Sequence, residues 1–223
     1  MAEKRGKVIV IEGTDGSGKG TQVSSLIKRA YSEGIRFNSF DFPRYGTTTG
    51  RGVEDYLKGE FGDPVKLPPK LSAGFYALDR LAATPEIEFF LSRGIHTIMN
   101  RYIGSNLAHQ GAKFKKLSNK VEFVKWCKNY EYGVLKIPKP DLFVCLNTPL
   151  EVSARSVVSR GREKDGHESN IDYQREVVKT YLWLANTQKD WRLVDSMDND
   201  RRKSVDELTE EIWAFIKPVL RNR

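Results

Sequence analysis

Residues 8–22 read Val-Ile-Val-Ile-Glu-Gly-Thr-Asp-Gly-Ser-Gly-Lys-Gly-Thr-Gln: an apolar run, a glycine-rich turn and the opening of a helical pattern. Gly13, four intervening residues, Gly18 and Lys19 satisfy most of the phosphate-loop pattern. Glycines reach backbone conformations closed to other residues, so successive N–H groups can converge on phosphate oxygens. The helix opening at Lys19 adds its positive N-terminal end, and the Lys19 ammonium reaches the outer phosphates. Gly13, Thr14, Asp15, Gly16, Ser17, Gly18, Lys19, Gly20 and Thr21 are therefore the candidate nucleotide-phosphate site.

Beyond this loop, apolar strands alternate with helical patterns, which predicts a parallel sheet covered by helices on both faces. Val8–Ile11 is the first strand, and 19–33 the first helix, ending near Gly34. Ile35–Phe42 is the second strand, stopped by Pro43. Helical spacing of Phe75, Tyr76, Leu78 and Leu81 predicts a helix over about 67–92, with Pro85 as a potential break. His96–Met99 and Asp141–Asn147 read as strands, 118–131 as a helix between them. A helix over 150–160, a polar glycine-containing loop over 161–170, a helix over 171–189, a strand over Trp191–Val194 and a helix over 204–217 complete the chain. No internal repeat or linker divides it, so residues 1–223 are expected to form one domain. Ligands are expected outside the carboxyl ends of the strands.

The 223 residues are 39% hydrophobic and 11% aromatic, enough for a sizeable core. No apolar run approaches the roughly 20 residues of a membrane span. Met-Ala-Glu-Lys-Arg-Gly leads, through Lys7, into only four apolar residues before Glu12, unlike a signal peptide. Cys127 and Cys145 are too few for a disulfide framework or a zinc site, so a reducing cytoplasm is the expected location. The 37 basic against 29 acidic residues give a net +8, but they are dispersed and carry no nucleic-acid signature. A site handling two polyphosphates accounts for arginine, and neither nucleic acid nor membrane is expected as a partner.

The residue after Lys19 is Gly20, where phosphate-loop enzymes place the Ser or Thr hydroxyl that binds Mg²⁺. Gly-Lys-Gly-Thr-Gln resembles adenylate and UMP-CMP kinases. Without the hydroxyl, Mg²⁺ is expected to be held by phosphates and waters, near Asp15 and Asn100, with no direct protein ligand. Further motifs sit at or after strand ends: Asp41-Phe42-Pro43-Arg44-Tyr45-Gly46, Tyr76-Ala77-Leu78-Asp79-Arg80, Asn100-Arg101-Tyr102, Ser105-Asn106, His109-Gln110-Gly111 and Pro138-Lys139-Pro140-Asp141. Together with Ile11-Glu12-Gly13-Thr14-Asp15-Gly16 they resemble the thymidylate kinase family along nearly the whole chain.

The resemblance implies a P-loop nucleoside-monophosphate kinase fold of about five parallel strands with a short lid over 155–170, a homodimer, and transfer of phosphate from ATP to dTMP with Mg²⁺. Asp15 matches a carboxylate that accepts from the deoxyribose 3′-OH, Tyr76 an aromatic that stacks on thymine, and Arg80 an arginine that bonds a thymine carbonyl. Arg101 matches the arginine on the acceptor phosphate, a role suited to a guanidinium fork. Phe42, Pro43, Arg44 and Tyr45 are expected nearby, and Asn106, His109 and Gln110 near the base and sugar. His109 replaces a tyrosine that in a similar branch crowds out a 2′-OH. Tyr173 and Tyr181 are candidate borders of the same pocket. The phosphate loop has no basic residue from Thr14 to Ser17, and in such members lid arginines neutralise the donor phosphates. Arg155, Arg160 and Arg162 are the candidates, with Lys19 and Arg101, for the catalytic cations.

Asn100 departs from the family, which has aspartate there. Phosphoryl transfer to an already anionic phosphate needs positioning and charge neutralisation more than a strong base, so an active enzyme with altered metal dependence is expected. Two alternatives stand beside dTMP phosphorylation: a kinase for AMP, UMP, CMP or dUMP, and a catalytically weak nucleotide-binding regulator.

Overall fold

The computed structural model describes residues 5–153 and 170–221. In a strand, successive side chains point to opposite faces. Along β1 (Val8–Gly13), Val8 and Val10 accordingly enter one core and Ile9 and Ile11 another. β4 (Leu142–Asn147) divides likewise: Phe143 and Cys145 join Val8 and Val10, while Leu142, Val144 and Leu146 join Ile9 and Ile11. Both strands are continuously apolar because both of their faces are covered. With β2 (Phe37–Asp41), β3 (His96–Asn100) and β5 (Trp191–Asp195) they form an all-parallel sheet of five strands in the order β2-β3-β1-β4-β5.

Helices α1 (Lys19–Tyr31) and α7 (Val205–Arg221) cover one face through Val23, Leu26, Leu208, Ile212 and Trp213. The other face is covered by α3 (Pro69–Ser92), α4 (Ile103–His109), α5 (Leu117–Lys128) and α6 (Ile171–Thr187), which contribute Ile87, Leu91, Leu107, Phe123, Val177 and Leu184. α2 (Thr48–Lys58) lies on α3, where Tyr56 stacks on Phe75 with ring centroids 5.5 Å apart. A short hairpin, β6 (Met197–Asp198) with β7 (Arg201–Arg202), precedes α7. No helix among the described residues is long and apolar enough to cross a membrane.

The five expected strands and their order of helices are present, with differences at particular places. α2 has no counterpart in the sequence reading because it opens with Thr48, Thr49, Gly50 and Gly52, poor helix formers. It is held by the Thr47 hydroxyl, which accepts from the Gly50 N–H at 3.0 Å, and by burial of Val53 and Tyr56. α4 was also missed, being only seven residues long with a glycine inside it. Pro85 does not break α3: Ala83 and Ile87 on either side are fully buried, and packing outweighs the lost hydrogen bond. The helix expected over 118–131 ends as an α-helix at Lys128 and continues in wider π turns over Asn129–Val134. The expected helix 150–160 and loop 161–170 lie mostly outside the described residues.

β1 sits at the centre, with β3 on one side and β4 on the other. The chain leaves β1 for the far edge, returns through β3, and only later crosses to β4. Such a reversal opens a crevice beyond the carboxyl ends of the strands, here marked by Gly13, Asp41 and Asn100.

Candidate active site

A cavity of about 590 Å³ opens at these strand ends. Asp15, Gly16, Gly18, Lys19 and Gly20 line one side, Asp41, Phe42, Pro43 and Tyr45 another. Leu57, Tyr76 and Arg80 come from α2 and α3, and Asn100, Arg101, Tyr102, Ser105, Asn106, His109 and Gln110 from the end of β3 and α4. The cavity thus unites the phosphate loop with most of the expected substrate residues.

In the loop, Gly13, Gly16 and Gly18 have φ of 142°, 78° and 100°, values that favour glycine. At Gly13 a Cβ would also lie 2.8 Å from the Leu146 carbonyl oxygen, so the loop packs on β4 only without a side chain there. Thr14 Oγ1 and Ser17 Oγ are buried without hydrogen-bond partners among the described residues, and the Lys19 ammonium donates to the Thr14 carbonyl at 2.7 Å. Burial and the nearby Arg101 charge bring the Lys19 ammonium down to about 7, against the pull of Asp15, Glu12 and Asp41.

Arg101 follows β3 with φ 63°, a left-handed conformation that costs a non-glycine residue roughly 1–2 kcal/mol. Its N–H is fixed by the Ile11 carbonyl at 3.0 Å. The guanidinium donates to Asp15 Oδ1 at 2.6 Å and to Ser105 Oγ at 3.1 Å. Burial opposes ionisation of Asp15, but Arg101 and Lys19 outweigh it and hold the carboxyl well below its ordinary range. Behind Arg101 lies Glu12, fully buried, which burial raises above the ordinary carboxyl value. Its oxygens accept from Tyr102 N–H, Ser105 N–H, Ser105 Oγ and Tyr181 Oη at 2.7–3.0 Å. This carboxylate anchors the start of α4 to β1 and aims Arg101 at the loop.

At the other end, Arg80 is fixed from behind. Its Nε and Nη2 each donate at 2.6 Å to Glu131, which also accepts from Asn106 Nδ2 at 3.0 Å. Both partners of this ion pair are buried, so each is costly without the other. The Gln110 amide is fully buried, lines the cavity, and has neither its nitrogen nor its oxygen hydrogen-bonded among the described residues. A buried amide without partners is unfavourable unless something satisfies it.

Among the expected site residues, Phe42, Pro43, Tyr45, Tyr76, Asn106 and His109 also line the cavity. Gly13, Thr14, Ser17 and Thr21 stand outside its lining, in or beside the same loop. Arg44 does not face the cavity: its Nε donates to Asp79 Oδ1 at 3.0 Å and its backbone N–H to Oδ2 at 2.8 Å. It clamps the turn after β2 to α3. Tyr173 and Tyr181 stand behind the wall, Tyr173 donating to the His109 carbonyl at 2.8 Å and Tyr181 to Glu12. Arg155, Arg160 and Arg162 lie outside the described residues. Asp41, Ser105 and Glu12, quoted within motifs but given no role, and Glu131, outside every motif, carry site geometry. Asp41 was detectable from its place at a strand end beside Phe42-Pro43, whereas Glu131 carried no local signal.

Known proteins resemble this chain along nearly its whole length. The family model for thymidylate kinase matches residues 11–212. A thymidylate kinase of Schizosaccharomyces pombe is 30% identical over 219 residues, covering 97% of this chain and 94% of that protein. The human thymidylate kinase is 30% identical over 227 residues, covering 99% and 94%. The solved structure of thymidylate kinase from Candida albicans superposes with a TM-score of 0.74 at 25% identity, over 96% of this chain and 92% of that one. By this match over most of its length, the chain belongs to the thymidylate kinase family.

Proposed function

We propose that the protein transfers the terminal phosphoryl group of ATP to dTMP, giving ADP and dTDP. The observation that carries the reading is that Lys19, Arg101, Arg80 and Gln110 all line one cavity. Lys19 and the loop N–H groups bind the donor phosphates, and Arg101 holds the acceptor phosphate in line. The base recess favours a pyrimidine with a carbonyl at position 4. A guanidinium only donates, so Arg80 suits a thymine or uracil carbonyl and opposes the amino groups of cytosine and adenine. Gln110 offers both an acceptor and a donor to the same edge. Asp15, once released from Arg101, is placed to accept from a sugar hydroxyl.

Mg²⁺ fits this donor set as a hydrated ion. The chain offers oxygen atoms, with Asn100 Oδ1 buried and unpartnered, and no group of three or more His, Cys, Asp or Glu poised to hold a metal among the described residues. Bound to the ATP phosphates, the ion would neutralise charge on the transferring group; Asp15 and Asn100 would face its waters. Arg155, Arg160 and Arg162 complete the proposed set of cations from the lid. A homodimer is supported by α3, where Leu71, Leu78 and Phe89 are each about half exposed along one stripe. Cys127 and Cys145, both unpaired and buried, are in keeping with a cytoplasmic location.

The test is ADP release from ATP and Mg²⁺ with dTMP, dUMP, AMP, UMP or CMP as acceptor. Turnover is expected with dTMP, less with dUMP, and little with the amino-substituted bases. Preference for AMP or CMP would overturn the assignment of the base recess. Binding of both nucleotides without turnover would favour the regulator, the reading that Asn100 motivates.

A further inference from the structure

Two carboxylates line the cavity, and their surroundings differ. Asp15 is engaged by Arg101 at 2.6 Å. Asp41 makes no ion pair with a lysine or arginine among the described residues, and burial raises its carboxyl above the ordinary value against the pull of Asn100, Arg101 and Lys19. It is the last residue of β2, register-paired with Asn100, the last residue of β3. The Asn100 side chain acts on the Asp41 carboxylate in favour of its charged form, while Asn100 Oδ1 is buried with no partner among the described residues. A Cβ on Gly20 would lie 3.8 Å from Asn100 Nδ2, so the loop position following Lys19 faces this same pair.

Phosphate-loop enzymes commonly hold Mg²⁺ through the hydroxyl after the loop lysine and through an aspartate. This chain has Gly20 at the first position and, facing it, the uncharged Asn100. We propose that Asp41 supplies the missing negative charge: a positioning carboxylate that orients the waters of nucleotide-bound Mg²⁺, with Asn100 Oδ1 as its neutral companion. The charge has moved one strand outward, from β3 to β2, and the Asn100 amide holds it in place. Mg²⁺ keeps several waters when bound through phosphates and one or two carboxylates, so a carboxylate need not touch the ion to position it. The inference rests on the kinase reading for the identity of the nucleotide, and its test is read without catalysis.

The experiment titrates Mn²⁺, a paramagnetic stand-in for Mg²⁺, into the protein with ADP and follows free ion by electron paramagnetic resonance. ADP affinity is measured in parallel with chelator in place of metal. Asp41→Asn is expected to weaken Mn²⁺ in the ternary complex by roughly 10-fold to 100-fold, the usual effect of losing an outer-shell partner. Metal-free ADP affinity should stay level or improve, because a negative charge has left the phosphate site. Asp41→Asn combined with Asn100→Asp returns a charge to the neighbouring strand end and should recover most of the Mn²⁺ affinity. Unaltered Mn²⁺ affinity in Asp41→Asn, an equal loss of ADP affinity with and without metal, or no recovery in the double variant would each overturn the proposal. Calorimetry with dTMP on each protein reports whether the cavity is intact. Failure of the parent protein to bind dTMP would sink the substrate reading alone and leave the Mn²⁺ comparison standing.

Discussion

Single residues in this site are held ready at a cost that ligands relieve. Gln110 presents a buried amide with no partner, so replacing it by the similar-sized Leu removes an unsatisfied polar group and leaves the core filled. Gln110→Leu should unfold at the same temperature or higher, yet bind dTMP roughly 10-fold more weakly, one to two hydrogen bonds' worth. Calorimetry beside thermal unfolding separates the two effects; unchanged dTMP affinity would remove Gln110 from the base recess. Lys19 gives a pH prediction. Its folded value near 7 lies below its ordinary value, so above pH 7 it is largely neutral in the free protein. Polyphosphate favours the ammonium, and ADP binding at pH 8 should therefore take up close to one proton, falling toward none below pH 6. Comparing binding heats in buffers of different ionisation enthalpy reads that number. Lys19 was legible from the loop motif itself, and Asp15 and Arg101 from the family resemblance of the loop and the strand end that carry them. Glu131 was not: Lys128-Asn129-Tyr130-Glu131-Tyr132 reads as a solvated helix, and only the widened π turns put its carboxylate against Arg80.

Elements position the site through a few close approaches. α4 meets β1 where Gly104 lies against Glu12: a Cβ there would sit 2.6 Å from Glu12 Oε1, on a side chain already bonded to Tyr102, Ser105 and Tyr181. Gly104→Ala should lower stability by about 1–3 kcal/mol despite alanine's better helix propensity, by forcing α4 off the sheet. It should weaken dTMP binding as well, since Asn106 and His109 ride on α4. Denaturant unfolding and dTMP titration check both, and a stabilised variant would contradict the packing argument. The strands were readable because β1 and β4 are buried on both faces and so uninterrupted in hydrophobicity. α2 and α4 were not, because glycine and threonine obscure their period and their stability comes largely from tertiary contacts.

At the scale of the whole molecule, the parallel sheet follows from strands separated by helices, and the place of the site follows from the reversal of direction around β1. What no local pattern could reveal is which distant segments meet there, since Asp15, Asp41, Arg80, Arg101 and Gln110 come from different elements. The exposed stripe on α3 leads to a prediction about assembly: the protein should sediment as a dimer, and Leu78→Asp, placing charge where an apolar side chain is half exposed, should shift it toward monomer. A parent protein that sediments as a monomer at all concentrations would dispose of the interface. The contact between Arg101 and Asp15 has a consequence of its own, because it joins residues 86 positions apart. In the proposed function, one belongs to the loop that would cradle the donor, the other to the grip on the acceptor. An acceptor phosphate must compete with the Asp15 carboxylate for Arg101, and success frees a loop residue beside Lys19. The two substrates therefore communicate through one exchange of partners, and whatever factor dTMP imposes on nucleotide affinity at the loop, that nucleotide must impose equally on dTMP.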